Sequence, residues 1–128
     1  MDSNVLLATD ADWLFDDVAA ALGGSHTVYR VREGSAVTGA ITEVEPELVI
    51  LDLQIGNMGG VATSLLIKQE SRAGRLPDVP VMLLLDREAD VFLAEQSDAD
   101  AWEVKPLNTL ALRRAANQLV VPAESPKA

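Results

Sequence analysis

Residues 48–60 have the sequence LVILDLQIGNMGG, and this stretch decides the fold. Residues 48–51 are all apolar, which is typical of a short parallel strand buried on both faces. The run stops at a carboxylate, Asp52, and the three glycines that follow predict a loop before a helix. Because ligands of open α/β sheets bind beyond the carboxyl ends of the strands, Asp52 lies where a functional residue is expected. An aspartate there is equally typical of a plain turn, so this stretch leaves both interpretations open.

Apolar strands and helical patterns alternate on both sides of this stretch. Strands are predicted at residues 5–8, 27–31, 48–51, 79–85 and 100–104. Helices are predicted after Asp12 as N-cap up to residue 22, and at residues 34–44, 61–69, 87–96 and 107–120. Such alternation predicts a parallel sheet with helices on both faces, and right-handed crossovers favour the strand order 2-1-3-4-5. The predicted fold is a flavodoxin-like three-layer α/β sandwich over residues 1–121, followed by a flexible tail at residues 122–128.

Composition narrows the possible functions of this domain. The net charge of −10 disfavours a nucleic-acid partner, because phosphates call for a basic surface. There is no cysteine and only one histidine, His26, so thiolate sites and multi-histidine metal sites are excluded. No apolar run approaches the roughly 20 residues of a membrane helix, and no export signal precedes the first strand. We therefore expect a cytoplasmic protein without membrane contact.

Charged residues follow four of the predicted strands at one edge of the sheet. They are Asp10, Asp52, Asp86 and Lys105, in chain order. Asp10 and Asp52 would repel each other unless a cation bridges them, and Mg²⁺ is a hard ion that prefers carboxylate and carbonyl oxygens. The Lys105 ammonium suits a phosphoryl oxygen. A carboxylate held beside Mg²⁺ and a lysine can accept a phosphoryl group as an aspartyl phosphate. The alternatives are that backbone N–H groups satisfy Asp10 and that Lys105 is a solvated loop charge.

Four segments of the chain resemble the receiver domains of two-component response regulators, over about residues 4–120. They occur in the family's order, as VLLATD at 5–10, ELVILDLQIGNMGG at 47–60, VPVMLLLD at 79–86 and DADAWEVKPL at 98–107. The resemblance implies that Asp52 is the phosphoacceptor. It also implies that Lys105 and Pro106 are the family's Lys-Pro pair, whose peptide bond is usually cis. It also implies a Mg²⁺ ion held by Asp10, Asp52 and the backbone carbonyl of Gln54.

The same resemblance implies the partners of this domain. A histidine kinase or a phosphotransfer protein would donate the phosphoryl group, and an output protein would bind the fourth helix, fifth strand and fifth helix. Because 128 residues leave no room for an output domain, we expect a stand-alone member that signals through that partner. We expect no enzymatic activity beyond self-phosphorylation and slow dephosphorylation of Asp52.

Several residues depart from the family's pattern. Thr9 stands where the family has a first acid, which weakens the predicted Mg²⁺ site. At the switch position Leu85 replaces a Ser or Thr, and Leu cannot donate a hydrogen bond to a phosphoryl group. Asp86 replaces a small residue, so it either opposes an incoming phosphate or pairs with Lys105 or Arg87 and faces away from the pocket. Trp102 occupies the aromatic switch position with a larger side chain than usual.

These departures support a second hypothesis, a pseudo-receiver that binds its partner without phosphorylation. A third hypothesis, a flavodoxin-like cofactor binder, is disfavoured. The first turn between strand and helix, at residues 8–12, has neither a glycine nor a cradle rich in Ser and Thr for a phosphate.

Overall fold

Five parallel strands form one sheet in the order β2-β1-β3-β4-β5. The structure is a computed structural model that describes residues 3–120. Its strands are β1 (Ser3–Ala8), β2 (His26–Val31), β3 (Leu48–Asp52), β4 (Val81–Leu85) and β5 (Ala101–Val104). The predicted strand order and the parallel arrangement are confirmed. The end of the domain predicted at residue 121 and the tail predicted at residues 122–128 lie outside the described residues.

Helices cover both faces of this sheet and complete three layers. They are α1 (Asp12–Leu22), α2 (Val37–Val44), α3 (Gly60–Arg72), α4 (Val91–Gln96) and α5 (Thr109–Leu119). Two buried apolar clusters separate the layers. One lies between the sheet and helices α2, α3 and α4, and the other lies between the sheet and helices α1 and α5. Among residues 3–120, none of the helices has the length and apolar character needed to span a membrane.

The central strands explain why the sheet is stable and why its edge is well defined. Every residue of β3 and of β4 is buried, as their continuous apolar runs predict. Full burial of each such Leu, Ile or Val contributes about 1.5–3 kcal/mol. In register, Ala8 lies beside Leu51, and Leu85 lies beside Val104. The ends of β1, β3, β4 and β5 therefore meet at one edge of the sheet.

Several helix starts differ from the prediction, and those of α1 and α5 show the reason. Asp12 is the first residue of α1, not its cap, because Ala11 holds the N-cap position. The Asp12 carboxylate instead accepts a hydrogen bond from Arg30 at 2.8 Å. Helix α5 begins two residues later than predicted, where the Asn108 side chain accepts from the Ala111 N–H at 2.8 Å and so caps it. Local pattern finds a helix more reliably than its first residue.

The fourth helix is shorter than the predicted span 87–96. Residues Glu88–Asp90 form a 3₁₀ turn, and α4 proper covers only Val91–Gln96. The Asp90 carboxylate accepts from the Arg87 N–H at 3.1 Å and from the Arg87 guanidinium at 3.0 Å, which closes this turn. The chain after β4 therefore leaves the sheet edge in a tight turn that begins next to Asp86.

Candidate functional site

Asp52 is the last residue of β3 and is buried at the edge of the sheet, with 3% of its surface exposed. One carboxylate oxygen, Oδ1, accepts from the Gln54 N–H at 3.0 Å and from the Lys105 ammonium at 2.7 Å. The other oxygen, Oδ2, accepts from the Thr9 hydroxyl at 2.7 Å. A buried carboxylate is costly unless it is paired and hydrogen-bonded, and these three donors meet that requirement.

Lys105 lies between two carboxylates. Its Nζ donates to Asp52 at 2.7 Å and to Asp86 at 2.8 Å, and its side chain is only 11% exposed. Burial by itself lowers the pKa of Lys105, but hydrogen bonds to Asp52 and Asp86 and their charges outweigh it and raise the pKa above its ordinary value. The Lys105 N–H also donates to the Leu85 carbonyl at 2.7 Å, and the bond to Pro106 is cis.

Asp86 forms the solvent side of this arrangement. Its side chain is 31% exposed, whereas that of Asp52 is 4% exposed. One Asp86 oxygen accepts from Lys105, and the other accepts from the side-chain amide of Gln54. Partial burial raises the pKa of Asp86, but the hydrogen bonds from Lys105 and Gln54, with the charges of Lys105 and Arg87, leave it below its ordinary value. Asp86 pairs with Lys105, as one of the two alternatives predicts, but it does so within the site, on the same ammonium that contacts Asp52.

A pH titration checks this pairing. Folding lowers the pKa of Asp86, so the ionised Asp86 carboxylate stabilises the folded state. This stabilisation is complete above the pKa of an unfolded Asp, about 3.9, and disappears as the pH falls through the lower pKa of the folded state. We expect Asp86→Asn to cost at most about 1 kcal/mol near pH 7, since the pair is partly exposed. Urea unfolding of both proteins between pH 3 and pH 7, with a chelator present, should show the difference shrinking at the acid end. A difference that is independent of pH would contradict the pairing.

Thr9 fills the position where the family's first acid was expected. It is fully buried, donates to Asp52, and accepts from the Ala11 N–H at 3.1 Å. The hydroxyl therefore links the phosphoacceptor candidate to the first turn of α1. It adds a polar contact but no negative charge.

The oxygen atoms near Asp52 suit a hard cation, although few of them are charged. Asp10 is exposed, and one of its oxygens lies 3.8 Å from the place where a Cβ on Gly56 would be. Asp10 therefore faces the loop that follows β3. Among residues 3–120, no group of three or more His, Cys, Asp or Glu side chains is arranged to hold a metal. The Mg²⁺ site on Asp10, Asp52 and the Gln54 carbonyl therefore stays a prediction, which rests on the preference of Mg²⁺ for carboxylate and carbonyl oxygens.

The two predicted switch positions are occupied by apolar side chains. Leu85 is fully buried and packs in the cluster shared with α2, α3 and α4. Trp102 is half-buried and packs against the same cluster from β5, beside Leu83 in register. Neither position supplies a hydroxyl near Asp52, as the sequence indicates.

The sequence does not predict what holds the loop after β3. Gly34 donates its N–H to the Gly56 carbonyl at 3.0 Å, and the next N–H, of Ser35, donates to the Asn57 carbonyl at 2.8 Å. The Thr63 hydroxyl donates to the Met58 carbonyl at 3.1 Å. Asn57 and Met58 have positive φ angles of 50° and 80°, which side chains other than glycine rarely adopt. These contacts stabilise the loop that carries Gln54.

The fold and the edge site together define a class of protein. A flavodoxin-like sheet with an aspartate at the end of β3 and a Lys-Pro pair after β5 is the arrangement of a receiver domain. Solved structures of receiver domains have the same fold. One from a histidine kinase of Syntrophus aciditrophicus has a TM-score of 0.83 and 21% identity, covering 98% of this chain and 96% of that one. One from the response regulator NarL of Mycobacterium tuberculosis has a TM-score of 0.76 and 22% identity, covering 93% and 96%.

Relatives found by sequence are response regulators. The sensory transduction protein BceR of Bacillus subtilis is 31% identical over 107 residues, which are 81% of this chain and 44% of that protein. The DNA-binding response regulator MtrA of Mycolicibacterium smegmatis is 31% identical over 78 residues, covering 59% and 32%. The chain thus spans less than half the length of these relatives. No protein-family model matches the chain. With the fold, these relatives identify the chain as a member of the receiver-domain family of response regulators.

Proposed function

We propose that the chain is a signalling receiver that accepts a phosphoryl group on Asp52 and changes its binding to a protein partner. The observation that carries this proposal is the Asp52 carboxylate at the end of β3, with the Lys105 ammonium 2.7 Å from its Oδ1. A lysine that contacts the attacking carboxylate is also positioned to contact an oxygen of the phosphoryl group next to it.

In the reaction, an Asp52 oxygen attacks the phosphorus of the donor. The new O–P bond forms as the bond from phosphorus to the leaving group breaks, and the leaving group keeps the electron pair. Lys105 stabilises the negative charge on the phosphoryl oxygens, while the Gln54 N–H holds the carboxylate in place. A Mg²⁺ ion on Asp10, Asp52 and the Gln54 carbonyl would add positive charge at those oxygens.

Incubation with acetyl phosphate and Mg²⁺ tests this proposal. We expect an intact-mass increase of one phosphoryl group that is stable in acid and labile in base. Asp52→Asn should abolish it, because the amide cannot act as the nucleophile, whereas Asp16→Asn on the exposed side of α1 should not. Failure of the wild-type protein to gain this mass over a range of Mg²⁺ concentrations would refute phosphorylation at Asp52.

The donor in the cell is proposed to be a histidine kinase or a phosphotransfer protein, as in two-component signalling. The proposed output surface comprises α4, β5 and α5. It carries two exposed apolar side chains, Phe92 on α4 at 60% and Leu110 on α5 at 57%, which suit contact with a protein. An acidic chain of this charge is a poor match for nucleic acid, so we propose a protein as the output partner.

One observation favours the alternative of a pseudo-receiver. Leu85 is buried in the apolar core, where it cannot respond to a phosphoryl group through a hydrogen bond. A pseudo-receiver would bind its partner equally well after Asp52→Asn and after chelation of Mg²⁺. Loss of binding in Asp52→Asn, with an unchanged circular dichroism spectrum, would exclude that alternative.

A further inference from the structure

We propose that Gln54 and Asp86 form a latch at the phosphoacceptor pocket. In this latch the Asp86 carboxylate takes the hydrogen-bond position on the Lys105 ammonium that a phosphoryl oxygen requires. This inference rests on the proposed function of Asp52. The latch consists of three contacts in series: the Gln54 amide donates to Asp86, Lys105 donates to Asp86, and Lys105 donates to Asp52.

The latch is built from the phosphoacceptor segment itself. The backbone N–H of Gln54 donates to Asp52, and its side-chain amide donates to the second carboxylate, Asp86. Gln54 thus contacts both acids, one through its backbone and one through its side chain. Because the loop after β3 is held by Gly34 and Ser35, Gln54 is positioned before any phosphodonor arrives.

Charge adds to the steric effect of this latch. Asp52 and Asp86 carry two negative charges against the single positive charge of Lys105, so these three groups have a net charge of −1 before a donor binds. An incoming phosphoryl group is itself negative and must replace Asp86 on Lys105. Asp86 is more exposed than Asp52, and both carboxylates contact the same ammonium, so a donor that approaches Lys105 from solvent meets Asp86.

Opening the latch should therefore expose Asp52 and free one hydrogen-bond site on Lys105. Asp86→Ala removes the carboxylate, and Gln54→Ala removes its anchor while the backbone N–H and carbonyl of residue 54 remain. If Asp86 only repels the donor, Asp86→Ala alone should raise the rate of phosphorylation. If the latch blocks the pocket, both Asp86→Ala and Gln54→Ala should raise it. Asp16→Asn on the exposed side of α1 is the matched control, because it also removes one negative charge.

The first measurement is the rate of phosphorylation by acetyl phosphate, followed by intact mass. Loss of one charge-assisted contact that competes for Lys105 should raise the rate about five- to tenfold in Asp86→Ala. A smaller increase is expected in Gln54→Ala and none in Asp16→Asn. The second measurement is labelling of Asp52 by a water-soluble carbodiimide with glycine methyl ester, mapped by peptide mass spectrometry. This labelling does not require phosphoryl transfer and should rise in the same two variants.

The outcomes separate the latch from the proposed function. If Asp52 labelling rises in both variants while no protein is phosphorylated, the latch stands and phosphorylation of Asp52 fails. If the wild-type protein is phosphorylated but neither variant reacts or labels faster, the latch is refuted. The latch is also refuted if Asp86→Ala reacts faster while the rate of Gln54→Ala is unchanged, because charge repulsion alone then explains the effect.

Discussion

Replacement of Lys105 by methionine is expected to lower the free energy of unfolding by about 3–5 kcal/mol, the usual cost of removing one partner from a buried ion pair. Methionine keeps most of the apolar stem of the side chain but removes the ammonium that lies between Asp52 and Asp86. The two carboxylates would then face each other with no opposite charge between them. Urea denaturation at pH 7 with a chelator present measures the loss without interference from a bound cation.

A double-mutant cycle shows whether the loss comes from the unpaired carboxylates. Asp52→Asn alone should cost about 1 kcal/mol or less, because Lys105 keeps Asp86 as a partner and most hydrogen bonds survive. Combined with Lys105→Met, it removes one of the two unpaired charges, so the double variant should be more stable than Lys105→Met alone. A double variant that is less stable than Lys105→Met by the full cost of Asp52→Asn would show that Asp52 and Lys105 are not coupled, contrary to the structure.

The topology can be predicted from the sequence because the patterns that specify each strand are local. The apolar runs that form β3 and β4 are continuous and end in charged residues, so their burial and their common edge follow from pattern alone. The positions of Asp10, Asp52, Asp86 and Lys105 at that edge follow from the strand order. Details of helix ends do not, because Asp12 has a tertiary partner, Arg30, that no local pattern specifies.

The sequence predicts the hydrogen-bond partners of side chains much less well than it predicts their positions in the fold. The sequence left two orientations open for Asp86, and its hydrogen bonds from Lys105 and Gln54 fix its position. The sequence assigned no role to His26, which is buried and lies 2.9 Å from the Asn117 Oδ1 of α5. Arg113, on the exposed side of α5, donates to the Ala21 carbonyl at 2.9 Å and links α5 to the end of α1. Each of these contacts joins residues far apart in the chain.

Replacement of Gly34 by alanine is the second substitution expected to cause a large loss of stability, because the structure leaves no room for a side chain at this position. A Cβ at this position would lie 1.9 Å from the Met58 carbonyl oxygen and 2.6 Å from the Thr63 hydroxyl. The first of these atoms is backbone, so the loop after β3 must move to accommodate it. We expect Gly34→Ala to lower the free energy of unfolding by about 2–3 kcal/mol, which is typical of overpacking a well-packed site.

Gly39 provides the matched control for this prediction. It lies within α2, and apart from the adjoining backbone of that helix and its two chain neighbours, no heavy atom lies within 4 Å of the place its Cβ would occupy. Gly39→Ala should therefore raise stability by about 0.5–1 kcal/mol through helix propensity. Because the displaced loop carries Gln54, Gly34→Ala should also increase carbodiimide labelling of Asp52, and Gly39→Ala should not. Equal stabilities of the two variants in urea denaturation would mean that residues 56–58 do not pack against Gly34 as described.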